Sequence, residues 1–170
     1  MAPQFVLIGP PGAGKTSIGR HLARAMKMDF ADTDSIIEEE QGKSIAQLFI
    51  DDGEPFFRQI EERVCLETLQ DFAGVLSLGG GAVLSANVAA AIENCGSNVI
   101  FLDVTLAVAA PRIGFNRDRP LLLGNPRQQW QKLMDERRPI YESLATLRIM
   151  AGDRSVSEVV NEIVAMVDAK

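Results

Sequence analysis

Histidine and cysteine are almost missing, with one histidine, His21, and two cysteines, Cys65 and Cys95, in 170 residues. Two thiols so irregularly placed supply neither a disulfide framework nor a zinc site, and a reduced, cytosolic protein is expected. His21 follows a glycine-rich loop and reads as a partly packed helix residue, and no covalent nucleophile is advertised elsewhere. No hydrophobic run approaches the length of a membrane span, so no membrane partner is expected. The first apolar run, Phe5 to Ile8, begins close to Met1, so no signal or transit peptide is expected. Basic stretches are lacking too. There are 23 Asp+Glu against 17 Lys+Arg, for a net charge of -6. No face is left to neutralise a nucleic-acid backbone. A small anion in a local basic pocket remains compatible, and the cations suit one. Arginine outnumbers lysine 12 to 5, and its planar fork fits carboxylates and phosphates.

What is present reads as a single domain over residues 1–170, long enough for a sizeable core. Phe5-Val6-Leu7-Ile8 predicts a buried strand running into Gly-Pro-Pro-Gly, and residues 15–28 predict a helix with Ile18, Leu22, Ala25 and Met26 on one face. Residues 29–34, DFADTD, predict a second strand; residues 35–72 predict helices broken at Gly42 and Gly53. A third strand is expected at 75–78, a helix at 86–94, a strand at 98–104 and a helix to about Phe115. Residues 116–126 read as a loop, followed by a long helix from Pro126 to Leu144, a strand at 147–151 and a last helix from Ser155. Strands without clean alternation, separated by helices, imply an α/β fold with a parallel sheet covered on both faces. Ligands of such sheets lie beyond the carboxyl ends of the strands. The segments starting at Gly9, at Asp32/Asp34 and at Gly79–Gly81 should therefore share one crevice.

Residues 9–16, GPPGAGKT, fit G-x-x-x-x-G-K-[ST], a phosphate loop placed between a strand and a helix. Its glycines let backbone N–H groups of residues such as Gly12, Ala13, Gly14 and Ser17 curl round phosphate oxygens at a helix N-terminus. Lys15 reaches the β/γ-phosphates and the Thr16 hydroxyl suits Mg²⁺, which implies a nucleoside triphosphate with Mg²⁺. Asp32 and Asp34, two apart on the expected strand, would project to one side. They are open to three readings: a solvated turn with Asp34 as helix cap, a metal site, or one acid for Mg²⁺ and one for an acceptor hydroxyl and its proton. Arg58 and Glu61, i and i+3 behind two phenylalanines, are either a surface ion pair or a carboxylate-gripping arginine held rigid. Gly79–Gly81 is a plain turn or a close approach of backbone to ligand. Arg117 and Arg119 lie on the 116–126 loop, and Arg137 and Arg138 precede Pro139. No Asn-Lys-x-Asp base-reading motif occurs, which argues against a GTPase switch.

GPPGAGKT, DTD, FFRxxE, LGGGAV, RPLL and the Arg137-x-x-x-Tyr141 spacing stand in an order that resembles the shikimate kinases over essentially the whole chain. The resemblance implies a three-layer P-loop kinase fold, related to nucleoside-monophosphate kinases. Its five-stranded parallel sheet has the order 2-3-1-4-5, with acceptor-binding helices at about 35–62 and a lid at about 112–124. It implies transfer of the ATP γ-phosphoryl group to the 3-hydroxyl of shikimate, in aromatic amino-acid biosynthesis, by a cytoplasmic monomer. Asp34 would orient that hydroxyl and act as base, and Arg58 and Arg137 would grip the carboxylate. Gly80 and Gly81 would supply backbone contacts. Thr16 and Asp32 would serve Mg²⁺, Arg119 would contact the transferring phosphate, and Arg112 and Arg154 would flank adenine. Val156 stands where the family often has proline. Arg138 competes with Arg137 for the clamp, the spacing to Tyr141 favouring Arg137. A gluconate or nucleoside-monophosphate kinase, and a non-catalytic sensing domain of the same fold, are the alternatives.

Overall fold

The computed structural model describes residues 2–113 and 125–169. One five-stranded, all-parallel sheet has the order β2-β3-β1-β4-β5, as the resemblance implies. The strands are β1 (Phe5–Ile8), β2 (Phe30–Asp32), β3 (Val75–Ser77), β4 (Asn98–Asp103) and β5 (Leu147–Met150). All four residues of β1 are buried, as a strand covered on both faces must be. The helices are α1 (Lys15–Met26), α2 (Thr33–Gln41), α3 (Ile45–Asp52), α4 (Glu54–Asp71), α5 (Ala86–Asn94), α6 (Leu106–Ile113), α7 (Pro126–Leu144) and α8 (Val156–Asp168).

Register aligns the strand ends. Leu7 pairs with Ser77 and Ile100, and Asp32 pairs with Ser77. The chain therefore leaves β1, β2 and β3 at one level, which brings Gly9, Thr33 and Leu78 together.

Helix breaks fall where the glycines put them. Gly42 closes α2 with φ +69°, and Gly53 separates α3 from α4 with φ +83°, conformations that cost a side chain and suit glycine. Three local expectations need correction. β2 stops at Asp32 and Asp34 sits in the first turn of α2, so the two acids are not strand neighbours. Asp32 is the N-cap, its carboxylate accepting from Ser35 N at 3.2 Å; this bond ends the strand two residues early. On α1 the buried face is Ile18, Gly19, Leu22 and Ala23, while Ala25 is exposed. Gly19 centres that face because Phe30 and Leu7 lie where its side chain would be. His21 is exposed, its ring bonded only to Ser17 O of the preceding turn.

Two apolar clusters result. The larger wraps the sheet with α1, α5, α7 and α8. The smaller holds five buried residues, Ile37, Leu48, Phe57, Ile60 and Val64, and ties α2, α3 and α4 together beside the sheet.

Candidate active site

The phosphate loop takes its shape from backbone. Gly12 and Gly14 have φ of +83° and +89°, and a side chain at Gly9 would stand 2.6 Å from Leu102 O. Gly14 holds the N-cap position of α1 without a side-chain cap, and no acid lies in the first turn. By contrast α2, α3, α5, α7 and α8 are capped by Asp32, Ser44, Ser85, Asn125 and Ser155. The first N–H groups of α1 are thus left to an anion. Lys15 Nζ donates to Gly9 O at 2.8 Å and Pro10 O at 3.0 Å, arching over the loop.

Thr16 and Asp32 come together as expected: the Thr16 hydroxyl donates to Asp32 at 2.8 Å. The other Asp32 oxygen caps α2, so the carboxylate is fixed from both sides. Among the described residues no group of three or more His, Cys, Asp or Glu is placed to hold a metal ion. Two hard oxygens beside a phosphate loop nevertheless fit Mg²⁺, which keeps several waters and takes its remaining ligands from phosphates.

A single cleft of about 490 Å³ runs from Gly12, Gly14, Lys15, Thr16 and Ser17 past Asp32 to Asp34, Gly79 and Gly80. Its other end is lined by Arg112, Ile113, Ala151, Arg154, Val156 and Val159. Arg112 spans Gly12 O at 3.0 Å and Gly152 O at 3.3 Å, and Arg154 donates to Met150 O and pairs with Glu162. Ala13 is buried within the loop.

The acceptor end is organised by the glycine loop in a way the sequence does not announce. Each glycine leaves room for a functional side chain of the protein itself. A side chain at Gly79 would stand 2.7 Å from Asp34 and 2.9 Å from Glu61. At Gly80 it would meet Pro11 and Arg137, and at Gly81 it would stand 2.4 Å from the Arg58 guanidinium. Arg58 is held by Glu61 at 2.7 Å and Glu54 at 3.2 Å. Burial opposes the Arg58 charge, yet the two acids hold its pKa above the ordinary arginine value. Glu61 is almost fully buried, and burial pushes its carboxyl above the ordinary range against the pull of Arg58 and Arg137. The Arg58 and Arg137 guanidiniums thus both act on the buried Glu61 carboxylate beside the glycine loop.

The two arginines of α7 part company. Arg137 is buried beside Gly80 and the Tyr141 hydroxyl. Arg138 forks onto Asp103 at 2.7 and 3.0 Å, and Arg148 joins the same carboxylate. These bonds hold Asp103 below its ordinary pKa despite burial. Arg117 and Arg119 lie outside the described residues.

Sequence reasoning offered Glu61 as the brace of Arg58 without its burial, and missed three supports: Asp103 as the anchor of Arg138, and two bonds from α7. The Trp130 indole donates to Pro11 O at 2.9 Å, and Tyr141 donates to Gly80 O at 2.6 Å. The chain's only tryptophan, four residues before Met134, and its only tyrosine, four residues after Arg137 on the same helix, were the available signal.

The chain matches the family model for shikimate kinase over residues 11–168. It is 46% identical over 171 residues to the shikimate kinase of Rhodococcus erythropolis, covering all of both chains. It is also 46% identical over 166 residues to that of Mycobacterium tuberculosis, with 97% of this chain and 93% of that one covered. Among solved structures, a shikimate kinase from Acinetobacter baumannii in complex with shikimate superposes with a TM-score of 0.94 at 31% identity, over 99% of this chain and 94% of that one.

Proposed function

This chain belongs to the shikimate kinase family and phosphorylates shikimate with ATP in aromatic amino-acid biosynthesis; we propose how its residues divide that work. The observation that carries the assignment is the continuous cleft joining the phosphate loop to Asp34 and the glycine loop.

ATP lies with its phosphates on the N–H groups of Gly12 to Ser17 and with Lys15 at the β/γ-phosphates. Its adenine sits between Arg112 and Arg154, against the apolar wall that Val156 and Val159 provide in place of a proline. Thr16 and Asp32 would hold Mg²⁺, which when bound neutralises charge developing on the phosphate oxygens. Shikimate, the ligand in the Acinetobacter structure, places its carboxylate against Arg58 and Arg137 and its ring over Gly80 and Gly81. Arg138 is the weaker candidate for that clamp because Asp103 already occupies its fork. Asp34 accepts a hydrogen bond from the 3-hydroxyl and takes its proton as the hydroxyl oxygen bonds to the γ-phosphorus. The bond to the β–γ bridging oxygen breaks and ADP leaves. Arg119, outside the described residues, is assigned to the transferring phosphate from its sequence position alone, as is a lid over 112–124. Helices α2, α3 and the start of α4 form the acceptor-binding part of one domain. A cytoplasmic monomer completes the reading, in keeping with the free thiols of Cys65 and Cys95.

ADP release measured against shikimate in Arg58→Ala, Arg137→Ala and Arg138→Ala tests the division. The first two should raise KM for shikimate far more than the third. An Arg138 effect equal to that of Arg137 would move the clamp.

A further inference from the structure

The helix α7 reaches both ends of the cleft from one face. Trp130, Met134, Arg137 and Tyr141 are buried along it, at the 4, 3 and 4 spacing that stacks side chains in a single stripe. Trp130 is 1% exposed and gives its only hydrogen-bond donor to the carbonyl of Pro11, inside the phosphate loop. Tyr141 is fully buried and gives its hydroxyl to the carbonyl of Gly80, inside the acceptor loop. Burial pushes that hydroxyl up to about 12, so it stays protonated and keeps donating. The two loops also touch directly, because the space a side chain would fill at Gly80 is bounded by Pro11 and Gly9 O. Phosphate loop, glycine loop and α7 therefore form a closed triangle. Two of its corners are fixed by side-chain donors spanning 119 and 61 residues of sequence.

We propose that Trp130 and Tyr141 are positioning residues that hold the phosphate loop and the acceptor loop in register across the cleft. The proposal rests on the reading that these loops carry ATP and shikimate respectively. Neither residue touches a reacting atom. Their effect is the separation between the γ-phosphorus and the acceptor oxygen, a distance on which in-line transfer depends steeply. A buried indole could have been a phenylalanine if only packing were required. Its N–H is instead aimed at a loop whose other groups serve the ligand.

The test compares Trp130→Phe, Tyr141→Phe and the double variant for kcat, both KM values and thermal midpoint. Trp130→Phe should lower kcat about tenfold, the scale of a modest misplacement, and raise KM for ATP more than KM for shikimate. Tyr141→Phe should lower kcat similarly with the opposite KM preference. In the double variant the loss in kcat should be smaller than the product of the two, because the register is already lost once either bond is gone. Unchanged kcat and KM values with only a lower midpoint would reduce both residues to packing and overturn the proposal. Multiplying losses would overturn the shared register. Should Trp130→Phe fail to fold, 3-benzothienylalanine at position 130 keeps the shape and removes the donor, and the same kinetics apply. Arg58→Ala in the otherwise native chain separates the two readings, since Arg58 stands against Gly81: an unchanged KM for shikimate there would undo the acceptor assignment, whatever the α7 variants show.

Discussion

The nucleotide end and the acceptor end of the cleft are built in different ways. The first is a run of eight consecutive residues, Gly9 to Thr16, whose proposed ligand groups are mainly backbone N–H, braced by the large core around the sheet. The second is assembled from α2, α4, the glycine loop and α7, and the groups proposed to bind the acceptor there are charged side chains. It leans on a cluster of five buried residues, Ile37, Leu48, Phe57, Ile60 and Val64. A backbone site needs a strand, a turn and a helix, and little else. A side-chain site needs every contributing element to be in place. The acceptor end should therefore be the more fragile half, in stability and in chemistry.

The largest expected effect falls on one carboxylate. Asp34→Asn keeps the size and should leave ADP binding near the native value, while turnover falls by about a hundredfold or more, the scale of a lost general base. Calorimetry with ADP beside the turnover assay checks both halves; native turnover in this variant removes Asp34 from the proton-taking role. Next comes the small core. Leu48 is fully buried, and Leu48→Ala should cost about 2 kcal/mol, the low end for a buried leucine because α3 can settle inward. Hydrogen exchange should then quicken in α2, α3 and α4 before it does in β1 and β4. Shikimate binding should weaken while ADP binding holds. An equal loss of both ligands would mean the ends are one cooperative unit, and the comparison would break.

The same contrast explains what could be read from the sequence. The strands, most helix limits and the phosphate loop were legible because their signals are local: apolar runs, glycine breaks and a fixed spacing. The strand order came from resemblance, since parallel pairing leaves no local trace. At Asp34 the strand reading failed because the cap formed by Asp32 starts α2 at Thr33; two legitimate local rules competed and the cap won. For Gly79–Gly81 the need for glycine was visible but its reason was not. No rule of spacing says that Asp34, Arg137 and Arg58 will arrive from three other elements to fill the missing side chains. Trp130 and Asp103 were invisible for the same cause, their partners lying 119 and 35 residues away.

Gly81→Ala sharpens the comparison at an intermediate scale. The added carbon would stand 2.4 and 2.7 Å from the two Arg58 terminal nitrogens. The guanidinium is pinned by Glu61 and Glu54, so it yields only by giving up an ion pair. KM for shikimate should rise about tenfold, some 1.4 kcal/mol, with KM for ATP unmoved. If KM for shikimate is also unmoved, Arg58 does not need its present position.

The smallest effect separates the two ends by pH. Burial raises the Glu61 carboxyl, so the folded protein holds that proton more tightly than the unfolded chain does. Its ionised form costs stability above the folded pKa, and the cost is relieved as pH falls through that value towards the unfolded one. Asp103 has the opposite sign. Burial works against its charge, but the bonds from Arg138 and Arg148 outweigh it and lower the pKa. Its contribution is present above the unfolded carboxylate value and is lost as pH falls through the folded one. Acidification therefore reaches Glu61 while Asp103 still holds α7 to the sheet. A protonated Glu61 no longer pairs with Arg58, which is left with the exposed Glu54 alone. KM for shikimate should then climb by a few-fold at a pH above the range where exposed carboxylates titrate, with the melting temperature little changed and KM for ATP flat. Glu61→Gln should show the raised KM already at neutral pH and no further climb on that limb. An unchanged limb in that variant would place the titrating group elsewhere and leave Glu61 as a purely steric brace for Arg58.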